Sequence, residues 1–135
     1  MTVIGCLASI YSVTCSAGHV ERFGYPVKDL VYKFEFDTGA ADQWDSAAKE
    51  GPPLAPGKAS QAAKKFIRTM PLRDDMKEWD LRTITLMRIS PAPEEWVYVV
   101  HFDAVPKAGN WNGPVPWIDV PVRFDGTIPK PAITK

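Results

Sequence analysis

The stretch Pro52-Pro53-Leu54-Ala55-Pro56-Gly57-Lys58-Ala59-Ser60-Gln61-Ala62-Ala63-Lys64-Lys65-Phe66-Ile67-Arg68-Thr69-Met70-Pro71 decides how this chain folds. Within it, Ala59, Ala62, Ala63, Phe66, Ile67 and Met70 recur at the spacing that one face of an α-helix gathers into an apolar stripe. Lys58, Gln61, Lys64, Lys65 and Arg68 fall opposite and read as a solvated face. Prolines precede the element and Pro71 closes it, because proline fits the first helical turn and cannot continue a helix. A stripe of this kind needs a second layer to cover it.

The flanking segments supply that layer as strands. From Pro26 to Asp37, Leu30, Tyr32, Phe34 and Phe36 alternate with Val31, Lys33 and Glu35, the period-two pattern of a half-buried strand. Residues 38–57 read as a linker with a short helical turn at Ala41 to Lys49, and Leu72 to Asp80 as a charged connection. Residues 81–90 alternate with mixed faces, Ser90 to Glu95 is a turn, and Trp96 to Val105 sets Trp96, Tyr98, Val100 and Phe102 on one side. The last run, Trp117 to Phe124, turns Ile118, Val120, Val122 and Phe124 inward. Pro121 has no N–H for a ladder, so this run belongs at an edge or a bulge. Asp125-Gly126-Thr127 is a turn, and the tail from Ile128 is expected to be loose. The fold class is therefore α+β, a single helix packed on a curved antiparallel sheet of about four strands, with residues 19–135 as one domain.

Composition bounds the functions. A length of 135 residues, 45% of them hydrophobic, with five tryptophans, is enough for one core. Sixteen basic residues balance sixteen acidic ones, so no global field draws the chain to nucleic acid or an anionic membrane, and neither is expected as a partner. Residues 1–18 carry no charge and are too short and polar to span a bilayer. They read either as an export signal, though without an opening Lys or Arg, or as a first strand built on Ile10, Tyr11, Val13 and Thr14. Val3-Ile4-Gly5-Cys6 looks like a lipid-attachment box without its upstream apolar run. Cys6 and Cys15 have no metal-ligand spacing, and a disulfide between them would require an oxidising compartment.

The chemistry-bearing residues are few. Of the two histidines, His19 adjoins the ambiguous N-terminal segment, whereas His101 lies on a strand face with Val99 and Asp103. A general base there would need a nucleophile within reach, and Asp103 and Glu35 are the carboxylates considered beside it. Asp37, Asp42 and Asp45 lack the alternating oxygen pattern of a calcium loop, and no metal or cofactor is expected. Asp74-Asp75 and Glu94-Glu95 are read as solvated turn residues. The loop Lys107-Ala108-Gly109-Asn110-Trp111-Asn112-Gly113-Pro114-Val115-Pro116-Trp117 is the best recognition candidate. Exposed aromatics on such a loop supply binding energy, so Trp111, Asn112, Pro116 and Trp117 join His101 as candidate binding residues. The alternative is that both tryptophans fold back to cap the core.

The order of the alanine-rich helix, the strands Thr83 to Ile89 and Trp96 to Phe102, and the terminal Phe124-Asp125-Gly126-Thr127-Ile128 resembles the PepSY-like group of bacterial exported domains over residues 54–128. That resemblance implies a secreted or periplasmic domain that binds or restrains other proteins, with no catalytic residues. More distantly, Pro116-Trp117 before the last strand is similar to the Pro-Trp pair of cystatins, although Ser90-Pro91-Ala92-Pro93 stands where the inhibitory Gln-x-Val-x-Gly turn would be. The expected function is non-enzymatic binding of a protein or peptide through the sheet or the Trp111 to Trp117 loop. A cystatin-like inhibitor and a small enzyme using His101 are the alternatives.

Overall fold

A computed structural model describes residues 19–20, 25–27 and 30–135. Residues 1–18, and with them both cysteines and the choice between export signal and first strand, lie outside the described residues. In chain order the elements are β1 (His19–Val20), β2 (Tyr25–Val27), β3 (Leu30–Lys33), β4 (Phe36–Asp37), a 3-10 turn (Ala40–Asp42), α1 (Pro56–Ile67), β5 (Met76–Pro91), β6 (Glu94–Pro106), β7 (Trp117–Val122) and β8 (Ala132–Thr134). The class is α+β with strands dominating.

Helix α1 begins with Pro56 at its first position, two residues inside the stretch read as linker, because proline's fixed φ suits the first turn, and it ends one turn before Pro71. The N–H and hydroxyl groups of Thr69 both donate to the Phe66 carbonyl, and the Met70 N–H donates to Ile67, so the last carbonyls are satisfied as the chain leaves the helix. The apolar stripe faces the sheet formed by β5, β6 and β7. Ala59 and Ala63 are fully buried and Ile67 and Met70 nearly so, with Ala62 and Phe66 packed at the margin of the core. Two methyl-sized residues at the centre of the contact let helix and sheet approach closely.

That sheet is an antiparallel meander in the order β5-β6-β7. Its register pairs Tyr98 with Val122, Val100 with Val120 and Phe102 with Ile118, and these six buried residues form the floor beneath α1. β7 lies outermost in the meander, where the missing N–H of Pro121 is tolerated, in agreement with the sequence reading. Past β7, Gly126 adopts φ +83°, and the Asp125 carboxylate accepts bonds from the N–H and hydroxyl of Thr127, closing the Asp-Gly turn.

The Pro26 to Asp37 run departs from expectation. Burial alternates only from Phe34 to Asp37, since Leu30 to Lys33 are all half-buried, and the chain divides into three short strands, with Val27 paired to Leu30 as the chain reverses on itself. The helix-bearing sheet therefore has three strands, and β3 belongs to a second three-stranded sheet, β2-β3-β8, while β4 pairs with β1. The tail expected to be loose supplies β8, whose Ile133 pairs with Tyr32. Period-two alternation is local and does not say which strand pairs with which. Phe34, between β3 and β4, is fully buried and meets Phe66 of α1 at 5.8 Å, joining this segment to the helix. The segment Leu72 to Asp80 also differs: its second half is strand, since β5 starts at Met76.

Two buried polar contacts tie the linker to the meander. Asp42, with no exposed surface, accepts a bidentate pair of bonds from Arg123 at 2.7 and 3.2 Å and a bond from the Gly39 N–H. Glu95 is buried, not solvated, and accepts a 2.7 Å bond from the Thr38 hydroxyl. Trp96 Nε1 donates to the Trp44 carbonyl, and the Tyr98 hydroxyl donates to the Leu54 carbonyl at 2.6 Å, so the segment leading into α1 is pinned to β6.

Candidate functional site

On the face of the meander away from α1, three strands converge on His101. The register sets His101 of β6 opposite Thr83 of β5 and Asp119 of β7, and Asp103 opposite Trp117. Residues two apart on a strand share a face, so Asp103 sits beside His101 while Asp119 reaches it across the ladder. Nδ1 of His101 lies 2.6 Å from Asp119 Oδ1, and Nε2 lies 2.9 Å from Asp103 Oδ1. Arg82 Nε stands 3.8 Å from Asp103 Oδ2 and its guanidinium 3.4 Å from Asp80.

The imidazole is therefore held from both ends. Partial burial works against its charged form. Hydrogen bonding and attraction from Asp119, then from Asp103, outweigh burial and raise its pKa above the ordinary histidine value. A ring with both nitrogens facing carboxylates donates from both when protonated. Trp117 packs against this ring, with centroids 5.5 Å apart and planes at 35°, yet remains 48% exposed. The face changes character along its length: Val97, Val99 and Pro121 are buried, whereas His101, Asp119 and Trp117 reach the surface at the other end.

The structure divides the residues selected from sequence. It brings His101 and Trp117 together and adds Asp119 and Arg82, which sequence reasoning missed. Glu35 is not part of the group and pairs with Lys33 at 3.3 Å. Trp111 belongs elsewhere: it is half-buried, with the Arg73 guanidinium 5.9 Å from its ring centroid and its Nε1 buried without a hydrogen-bond partner among the described residues. One tryptophan of the loop thus folds back and the other stands out. Asn112 is exposed, and Pro116 is half-buried with its carbonyl accepting a 2.8 Å bond from the Ala104 N–H. The clue to Asp119 is its position in the last strand, which becomes informative only once the β6-β7 register is known.

The turn read over Ser90 to Glu95 narrows to Ala92-Pro93, because Ser90 and Pro91 pair with Glu95 and Glu94, and it lies toward the opposite end of β6 from Pro116-Trp117. The nine-residue step from Glu94 to Asp103, the partner of Trp117, corresponds to roughly 30 Å of strand.

A second concavity lies between the C-terminal half of α1 and the first half of β5. This cleft of about 690 Å³ is floored by Ile67, Met70, Leu72, Trp79, Leu81 and Phe102 and bordered by Lys64, Arg68, Glu78 and Asp80. No group of three or more His, Cys, Asp or Glu residues among the described residues is arranged to hold a metal ion, and no described helix is long and apolar enough to cross a membrane. Comparison with protein-family models, with curated proteins and with solved structures finds no match in any of the three.

Proposed function

We propose that this chain is a non-enzymatic binding domain that holds a protein or peptide partner on the outer face of the β5-β6-β7 meander, with Trp117 as its anchor. The observation that carries the reading is the exposed Trp117 ring seated on an imidazole clamped by Asp119 and Asp103. An aromatic held by its backing loses little freedom on binding, which is how a few residues come to dominate an interface. Asp103, Asp119 and Arg82 around it provide the polar rim that fixes orientation. Both nitrogens of His101 being engaged weighs against the enzyme alternative. Export from the cytoplasm belongs to the same reading and rests on the uncharged residues 1–18 and the PepSY-like order of elements.

The test is selection of a displayed random-peptide library on the intact chain, followed by measurement of the enriched peptides on Trp117→Ala. The reading expects peptides whose affinity falls about tenfold or more in the variant at a temperature where both chains remain folded. An empty selection, or peptides that bind both chains equally, would overturn it.

A further inference from the structure

The cleft between α1 and β5 is separate from the Trp117 face and lies on the other side of the meander, under the helix. From the asymmetry of its rim we infer that it binds an apolar molecule carrying one anionic head. Its floor is made of aliphatic, thioether and aromatic side chains from the loop, the helix and two strands. At about 690 Å³ it falls within the range of small-molecule sites, roughly 300 to 1,000 Å³.

The charges on its two banks are not equivalent. On the strand bank, Glu78 lies 3.9 Å from Lys77 and Asp80 lies 3.4 Å from Arg82, so both acids already have cations beside them. On the helix bank, Lys64 and Arg68 are one turn apart and both exposed, and neither makes an ion pair among the described residues. The negative end of the helix dipole explains some preference for basic residues in the last turn. That pole amounts to about half an elementary charge, against two full positive charges at the mouth of an apolar cleft. The two cations stand together on the helix bank, apart from the acids of the strand bank, so an anionic head is placed on the helix bank and the floor takes a hydrocarbon body behind it. A cationic amphiphile of the same size meets Lys64 and Arg68 with like charge and is rejected.

Decanoate, decanol and decyltrimethylammonium share a chain and differ in head charge, and each is titrated below its micelle-forming concentration into the intact protein while amide and side-chain NMR shifts are followed. The inference expects saturable shifts at Ile67, Met70, Trp79 and Leu81 with decanoate, weaker ones with decanol and none with the ammonium. Lys64→Glu/Arg68→Glu, two changes on the exposed side of the helix that leave the amide spectrum otherwise intact, should weaken decanoate by about tenfold or more and admit the ammonium. Equal affinity for all three heads, indifference to the charge reversal, or shifts confined to the Trp117 face would overturn it. Leu72→Arg, which intrudes on the cleft from the loop, should abolish the decanoate shifts, and their persistence would likewise count against the site.

Discussion

His101 Nδ1 and Asp119 Oδ1 stand 2.6 Å apart across the β6-β7 ladder, at a position where the two residues are direct register partners. This contact ties the titration of one side chain to the pairing of two strands. The folded-state pKa of His101 is raised, so the contribution of its charged form is complete below the unfolded value near 6.5 and is lost as pH climbs through the folded value. Thermal melts should show stability falling as pH rises from 6.5 into the alkaline range. Asp119→Asn should flatten that fall and move the His101 NMR titration to lower pH. A midpoint unmoved by the substitution would show that Asp119 does not hold the imidazolium.

The Asp42–Arg123 pair should behave as a buried ion pair whose halves depend on each other. Arg123→Ala leaves a carboxylate with no exposed surface and without its guanidinium, and should cost about 3 to 5 kcal/mol. Asp42→Ala should also destabilise, and the double variant should cost less than the two singles added. Chemical denaturation of the four chains measures this, and additive losses would mean that the pair is not coupled.

Ala63 has no exposed surface and belongs to the core between α1 and the meander. Ala63→Leu forces extra volume between α1 and the meander and should cost about 1 to 3 kcal/mol in urea unfolding. Ala62→Leu, at the half-buried margin, should cost less.

Neighbouring residues of β7 should separate function from stability. Ile118 is fully buried beneath the helix, and Ile118→Ala should lower the unfolding free energy by about 2 to 5 kcal/mol. Trp117 points to the other face, and Trp117→Ala, which removes its contact with the His101 ring, should cost about 1 kcal/mol, less than Ile118→Ala, while removing the proposed anchor.

Much of this architecture was legible in residues close together in the chain. The stripe from Ala59 to Met70 defined α1 because helical neighbours are three and four positions apart, and Pro56 and Pro71 marked its surroundings. Alternation in Trp96 to Phe102 and Ile118 to Phe124 identified the residues on the helix side, although Val97, Val99 and Pro121 of the opposite face are buried as well. The same rule misjudged Pro26 to Asp37, where a continuous alternation conceals a reversal between Val27 and Leu30. It also left Glu95 among the solvated carboxylates, because burial under Thr38, 57 residues away, has no local signature.

The candidate site divides in the same way. His101 with Asp103 could be read from a spacing of two, and Trp117 from its place at the head of the last strand. The second carboxylate, the stacking of Trp117 on the imidazole and the separation of Trp111 from Trp117 followed from strand register and loop path. So did the unequal banks of the cleft, since Lys64 and Arg68 look like ordinary helix-surface residues until β5 is laid beside them. Sequence alone determined the helix, its buried face and the helix-facing side of β6 and β7, because periodicity is a property of neighbouring residues. Tertiary structure decided which strands pair, which charges meet and which tryptophan faces solvent, because those outcomes depend on contacts between residues that the chain keeps far apart.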